Sequence, residues 1–397
     1  MKKRVISGVL AAIMGVLLFA GCGENKGDSS DSNKDNAISA SSGGGAEGGG
    51  AETTFGLTPF EERQELRVGF FAGSPLSLPW YIADMEGYFE ELNIEITYET
   101  FTNGPAMIEA SNDWDVAGTG IGGALTAMIG YDIKTIGITD NEINVGLFAR
   151  EGSAIAENPD DPEAWKGSTW LYPSGTTAQP LLAAKLEEMG LTLSDINSIN
   201  MDISSALTAF LGGEGDGLGV WNAIAYEAED NDAVRITDTK EMEIPVPCAM
   251  YATDEALEEK RELITTAYCV FYKTWELCKS SEEGMELAKN YYLENCEEEG
   301  IACDESIAER VIDVVQCPTF DENYEMMTGE ADDYAGNYTK RKLLPAENEF
   351  LYCLDYFITQ EKYTDKDRDK MLDDGLVDGE IAEEAKALLS ALPKEDI

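Results

Sequence analysis

The chain has 397 residues, enough for two packed domains. Lys and Arg total 28 against 77 Asp and Glu, a formal net charge of −49, which argues against nucleic acid as a partner and against anionic lipid surfaces except through an anchor. It contains no histidine, so Ser-His-Asp and Cys-His catalysis and every His-based metal site are excluded, and no metal or other cofactor is expected.

In chain order the first feature is a leader. Lys2, Lys3 and Arg4 precede an uncharged run over 5–20 that is too short to span a bilayer, and small residues follow. This describes a secretory signal peptide over 1–21. The stretch Leu17-Leu18-Phe19-Ala20-Gly21-Cys22 resembles a bacterial lipobox, with Phe19 where Leu is usual. That resemblance implies a diacylglyceryl group on Cys22 and a protein held at the extracellular face of the cytoplasmic membrane. An ordinary signal peptide with an incidental cysteine is the plainer alternative. Residues 22–64 read as a flexible Gly/Ser/acidic tether, lowest in complexity up to about Thr54; a coil of that length averages roughly 30 Å end to end.

The folded part opens with an apolar run over 66–71 of buried-strand type, then helical spacing over 80–89 with Pro79 in its first turn. A strand over 94–98, a helix from Pro105, a strand over 114–117 and an apolar helix over 122–129 follow, then strands over 133–139 and 143–148. The pattern restarts with a strand over 167–172, a helix over 178–189, a strand over 196–201, a helix over 206–211 and a strand over 217–221. Two α/β series in succession predict two α/β lobes, each a mainly parallel sheet covered by helices. Residues 245–251 read as a return strand, and from Asp254 the chain is nearly all helical and acidic.

Seven cysteines follow Cys22, an odd number without a Cys-x-x-Cys pair, which argues against zinc and iron–sulfur clusters. Cys296 and Cys303 could close a small disulfide loop, and buried free thiols fit as well.

The strongest local signal is Tyr172-Pro173-Ser174-Gly175-Thr176-Thr177-Ala178-Gln179, where a strand ends, hydroxyl residues and a glycine follow, and a helix begins. Free N–H groups at a helix start beside hydroxyls form a ready anion site. A plain helix cap is the alternative.

Leu66-Arg67-Val68-Gly69-Phe70, the helix over 80–89, Asn103-Gly104-Pro105, Asp115-Val116-Ala117-Gly118-Thr119-Gly120, Leu147-Phe148-Ala149-Arg150, Ser174-Gly175-Thr176-Thr177-Ala178 and Asp216-Gly217-Leu218-Gly219-Val220-Trp221-Asn222 fall in one order. In that order the chain resembles the solute-binding lipoproteins of ABC importers of the nitrate, sulfonate, taurine and thiamine-precursor family. The likeness covers 66–251; beyond 254 it is one of general character. It implies a two-lobed fold of the periplasmic-binding type, with lobe I over 65–141 plus 248–345, lobe II over 142–247, and C-terminal helices over 346–397 packed on lobe I. Crossings near 139–145 and 245–250 would be the hinge.

The resemblance also implies a ligand cleft lined by strand tips. Gly73, Ser74, Trp80, Asn103, Gly104, Thr119, Gly120, Asp140 and Asn141 come from the first lobe. Ser174, Gly175, Thr176, Thr177, Asp202, Trp221 and Asn222 come from the second. Trp221 is the favoured wall, whereas Trp80 serves core packing equally well. The family often has an acidic residue and a proline after this tryptophan; here they are Asn222 and Ala223, which leaves the ligand class open. Arg67 and Arg150 read as structural. Asp140 and Asp202 would favour an amine or a zwitterion such as a taurine-like sulfonate, and a thiamine-related pyrimidine stacked on Trp221 is the alternative. The implied function is non-catalytic: a monomer captures a small solute and delivers it to an ABC permease. One related branch makes thiamine pyrimidine with a histidine, a route closed here. Another enzyme on the same fold, with Asp140 or Asp202 as base, is the rival class.

Overall fold

The computed structural model describes residues 53–331 and 338–392. The signal peptide, Cys22 and the tether up to residue 52 lie outside the described residues. Within the span expected as tether, the chain is already packed from Thr53, whose hydroxyl donates to the Leu57 carbonyl (2.6 Å), and Leu57 joins the core. Phe55 stacks edge-on against Tyr88 at 5.0 Å. Three apolar side chains within six positions, Phe55, Leu57 and Phe60, separate this segment from the Gly/Ser run before it.

Among the described residues ten strands form two five-stranded sheets: β1 (Gln64–Phe71), β2 (Ile94–Phe101), β3 (Val116–Thr119), β4 (Lys134–Asn141), β5 (Gly146–Arg150), β6 (Thr169–Tyr172), β7 (Asn197–Asn200), β8 (Gly217–Val220), β9 (Ala233–Asp238) and β10 (Pro247–Ala252). The first sheet has the order β2-β1-β3-β10-β4 and the second β7-β6-β8-β5-β9. In the first, β1 runs parallel to β2 (Gln64 opposite Ile94) and β3 (Val68 opposite Val116), while β10 is antiparallel to its two neighbours. In the second, β6 is parallel to β7 and β8, and β5 is antiparallel to β8 and β9. Each sheet therefore holds one reversed strand in an otherwise parallel set. The all-buried β10 reads as an unbroken small and apolar run, while the edge strand β7 is polar and exposed.

Several elements depart from the sequence reading, among them the helix Asn222–Asp230, which was not expected. The helix expected over 80–89 is two helices, Leu78–Met85 and Tyr88–Glu91, interrupted at Glu86 and Gly87. The edge strand β9 was not anticipated: Arg235 and Asp238 interrupt its apolar pattern, and both are tied up by ion pairs with Arg235 as the hub.

The chain passes between sheets at two places, β4 to β5 and β9 to β10, and the two crossings are bonded together. Glu142 N–H donates to the Val246 carbonyl (3.1 Å), Val246 N–H to Asn141 Oδ1 (2.9 Å) and the Thr239 hydroxyl to the Glu142 carbonyl (2.8 Å). The helical C-terminal region packs mainly on the first sheet. Thr135 of β4 exchanges backbone hydrogen bonds with Leu376 and Asp378, which covers that strand's outer edge. It also reaches the second sheet's side: Arg310 of helix Glu305–Asp313 pairs with Asp230 at 2.5 Å, and the Cys353 thiol points at the Pro245 carbonyl. Among the described residues no helix is long and apolar enough to cross a membrane.

Candidate functional site

A crevice between the two sheets is lined from the first by Phe71, Gly104, Pro105, Thr119, Gly120, Gly122 and Gly123, and from the second by Thr176, Thr177 and Trp221, with Glu142 of the crossing between them. These positions lie at the carboxyl ends of strands or the first turns of the helices after them, where open α/β sheets bind ligands. The crevice is closed. Its volume is about 20 Å³, room for roughly one water. The Gly175 carbonyl lies so near Gly122 that a Cβ added there would sit 2.0 Å from its oxygen. A larger cavity of about 750 Å³ lies elsewhere, between residues 57–62 and the helices Arg261–Lys279 and Glu380–Ser390. It is open, none of its lining residues is the carboxyl end of a strand, and its Arg261 is already paired with Glu380 and Glu384.

Glu142 is one of the lining residues that sequence reasoning missed, with Phe71, Pro105, Gly122 and Gly123. It is 5% exposed, and its Oε1 has no hydrogen-bond partner among the described residues. Burial, reinforced by the nearby Asp140 carboxyl, pushes it up to about 8, against hydrogen bonds from Cys248 and Asn222. The signal was present: β4 stays paired with β10 as far as Asn141, so the strand tip falls one residue past Asp140-Asn141. Phe71 was passed over in the same way, as the last residue of β1.

Of the expected residues, Gly104, Thr119, Gly120, Thr176, Thr177 and Trp221 are brought together in the crevice. Ser74 and Asn222 meet beside it: the Asn222 amide donates to Ser74 Oγ (3.3 Å) and its oxygen accepts from Asn144 (3.1 Å), a link between the sheets. Asn222 holds a left-handed φ of 51°, strain consistent with a position fixed by these partners. Gly73 lies one residue from this link, its carbonyl accepting from the Tyr292 hydroxyl at 2.8 Å.

The remaining candidates have other work. Trp80 is in the core, stacked on Phe89 at 5.8 Å and tilted against Phe271 at 5.2 Å, because its helix packs on Arg261–Lys279. Asn103 caps helix Gly104–Glu109 through Ala106 N–H. The Asp140 carboxyl accepts from Gln316 and Asn141 N–H groups, and burial pushes it up to about 7 despite them. Asn141 binds the other crossing, as described above. Asp202 is exposed and caps helix Ile203–Leu211 through Ser205 N–H. Ser174 is exposed, its N–H taken by Asn200 (2.9 Å). The Gly175 N–H is taken by Gln179 and the Thr176 hydroxyl by the Pro173 carbonyl, so this loop is partly self-capped. Arg67 pairs with Asp115 and Arg150 binds the carbonyls of Glu214 and Gly215. Both are structural.

A cation does reach the rim, from far along the chain. In the turn after helix Pro345–Thr359, Lys362 Nζ lies 3.1 Å from where a Gly175 Cβ would be, and the next residue, Tyr363, hydrogen-bonds Thr126 behind the Gly122 helix. Lys362 makes no ion pair among the described residues; it lies over the Phe357 ring at 4.9 Å, and desolvation lowers its pKa although the residue as a whole is exposed. The crevice thus offers a carboxyl, hydroxyls and a tryptophan, and the Lys362 ammonium stands beside Gly175, the neighbour of its lining residue Thr176.

Residues 74–288 match the model of the NMT1/THI5-like family. A curated relative named as a binding protein in Brucella abortus (strain 2308) is 29% identical over 161 residues, 39% of this chain and 47% of that protein; the chain spans about half the length of the curated relatives it matches. Among solved structures, the periplasmic nitrate-binding protein of Synechocystis PCC 6803 superposes with a TM-score of 0.60 at 12% identity, covering 84% of this chain and 92% of the other. The alkanesulfonate-binding protein of Xanthomonas axonopodis pv. citri bound to MOPS gives 0.56 at 16%, covering 76% and 95%. The ligand-binding component of an ABC-type import system from Staphylococcus aureus gives 0.60 at 11%, covering 81% and 99%. At these identities the likeness is one of fold.

Proposed function

The chain belongs to the NMT1/THI5-like family, and on that footing we propose that it is an exported, lipid-anchored binding protein that captures a small zwitterion in its crevice and delivers it to an ABC permease. The lobes are divided at the two bonded crossings, which act as the hinge. The solute carries an amine or other donor for Glu142 and an anionic group, sulfonate or carboxylate, toward Thr176, Thr177 and Lys362. Trp221 is the apolar wall. No chemistry is performed on the solute.

The observation that carries this reading is the Oε1 of the buried Glu142 carboxyl, which has no hydrogen-bond partner among the described residues. A ligand ammonium would satisfy that oxygen and draw off the acid's proton, which favours an amine-bearing solute over a simple anion such as nitrate that brings no donor to it. The same carboxyl facing a tryptophan would also suit an aminopyrimidine, which keeps a thiamine-precursor ligand as the second reading.

A thermal-shift screen of the full chain against taurine, alkanesulfonates, nitrate, amino acids and aminopyrimidines tests it. Stabilisation by an amine-bearing anion that is recovered unchanged supports the reading. Conversion of the solute, or stabilisation by nitrate and unsubstituted sulfonates alone, overturns it.

A further inference from the structure

Five of the described cysteines, Cys248, Cys269, Cys278, Cys317 and Cys353, are buried free thiols, and burial pushes each of them up, which keeps them protonated and inert. The remaining pair is built differently. Helix Glu282–Glu298 ends in a reversal at Gly300, whose φ of 70° suits glycine. Ile301 N–H returns to the Cys296 carbonyl (2.8 Å) and Gly300 N–H to the Glu297 carbonyl (3.2 Å). The reversal brings Cys303 back to the helix end beside Cys296, its thiol donating to the Asp304 carbonyl (3.7 Å). Cys296 is fully buried and Cys303 is half-buried.

We propose that Cys296 and Cys303 form a reversible dithiol–disulfide site, Cys303 being the thiol that an oxidant reaches and Cys296 the one that resolves it. The oxidant is a disulfide, of a small thiol or of an oxidoreductase. Cys303, its proton lost to solvent, attacks one sulfur of that disulfide; the S–S bond breaks and one thiolate leaves. Cys296 then attacks Cys303 Sγ, the mixed disulfide breaks, and the second thiolate leaves. Two protein thiols are oxidised by two electrons and one external disulfide is reduced to two thiols. While both thiols are reduced their contact lowers the Cys296 pKa and raises that of Cys303, so it is exposure rather than acidity that makes Cys303 the thiol an oxidant reaches.

The pair lies one side chain from the crevice. The Tyr292 hydroxyl, one helical turn before Cys296, hydrogen-bonds the Gly73 carbonyl past the tip of β1 and the Ala223 N–H beside Trp221 and Asn222. Ile301, inside the loop the disulfide would close, packs against Gly73. The site is therefore placed where oxidation would fix the backing of the ligand crevice.

Native full chain is treated with oxidised glutathione, alkylated and peptide-mapped, then reduced with dithiothreitol and mapped again. The expected product links the peptides of Cys296 and Cys303, lighter by two hydrogens, and reverts on reduction, while the five buried thiols alkylate only after unfolding. Cys296→Ser should stall as a glutathione adduct on Cys303. Stable glutathionylation of Cys303 in the wild-type chain, or both thiols still alkylatable after unfolding of the oxidant-treated chain, overturns the proposal. Circular dichroism of each variant separates these outcomes from misfolding.

Discussion

A carboxyl oxygen buried without a hydrogen-bond partner opposes the closed crevice by roughly 1–3 kcal/mol, and Glu142 is in that position on the wall a solute would touch. Trp221, only 5% exposed, is both wall and packing. Trp221→Ala should lower solute affinity more than tenfold and destabilise the fold by about 3 kcal/mol; calorimetric titration well below the melting temperature checks it, and an affinity within twofold of wild type removes Trp221 from the site. Asp115 is a structural counterpart. Burial alone would raise it, but hydrogen bonds from Arg67 and Lys260 outweigh that and lower it. Its stabilisation is therefore present above the ordinary value of 3.8 and fades as pH falls below it. Both cations are partly exposed, so Asp115→Asn should cost about 2 kcal/mol in urea melts near neutral pH. A loss below a few tenths would show that the pair is fully screened.

At the scale of elements, alternating strands and helices were legible because a sheet covered on both faces writes apolar runs into the sequence, and Gly104, Thr119, Gly120, Thr176, Thr177 and Trp221 followed from the strand-tip rule. Edge strand β9 was not legible, since its ion-paired charges hide the alternation. Asp202 was misplaced for a related reason: it follows edge strand β7, none of whose residues lines the crevice, and a helix cap claims its carboxylate. Lys362 could not be read at all. It reaches Gly175 only through the path of the helix Pro345–Thr359 and its turn, a long-range arrangement with no local signature. The backbone contact of Gly122 with Gly175 gives an element-scale prediction. Gly122→Ala should prevent full closure, lowering solute affinity at least tenfold while leaving the melting temperature of the unliganded chain unchanged or higher. Unchanged affinity would mean that closure does not bring these two segments together.

For the whole molecule, a crevice of about 20 Å³ cannot admit a solute, so binding requires the two sheets to separate about the paired crossings. Closure and protonation are linked. In the closed form Glu142 is pushed up to about 8, whereas an opened, hydrated carboxyl returns to about 4.5. Closure without solute is therefore favoured at low pH and loses ground as pH rises between those values, most of all approaching 8. Asp140, Cys248 and Asn222 face the same carboxyl, and Asp140, itself pushed up to about 7, adds repulsion in the same direction. Small-angle scattering of the unliganded chain should show its radius of gyration rising through that range, and Glu142→Gln should flatten the rise. A profile identical in wild type and variant would uncouple Glu142 from closure.

The central claim, that Glu142 receives the amine of a captured zwitterion, is tested most directly by titrating wild type and Glu142→Gln with taurine and with ethanesulfonate, which lacks the amine. The account predicts that the substitution weakens taurine at least tenfold, about 1.4 kcal/mol, and leaves ethanesulfonate unchanged or tighter. Equal effects on both solutes, or none on taurine, would contradict it.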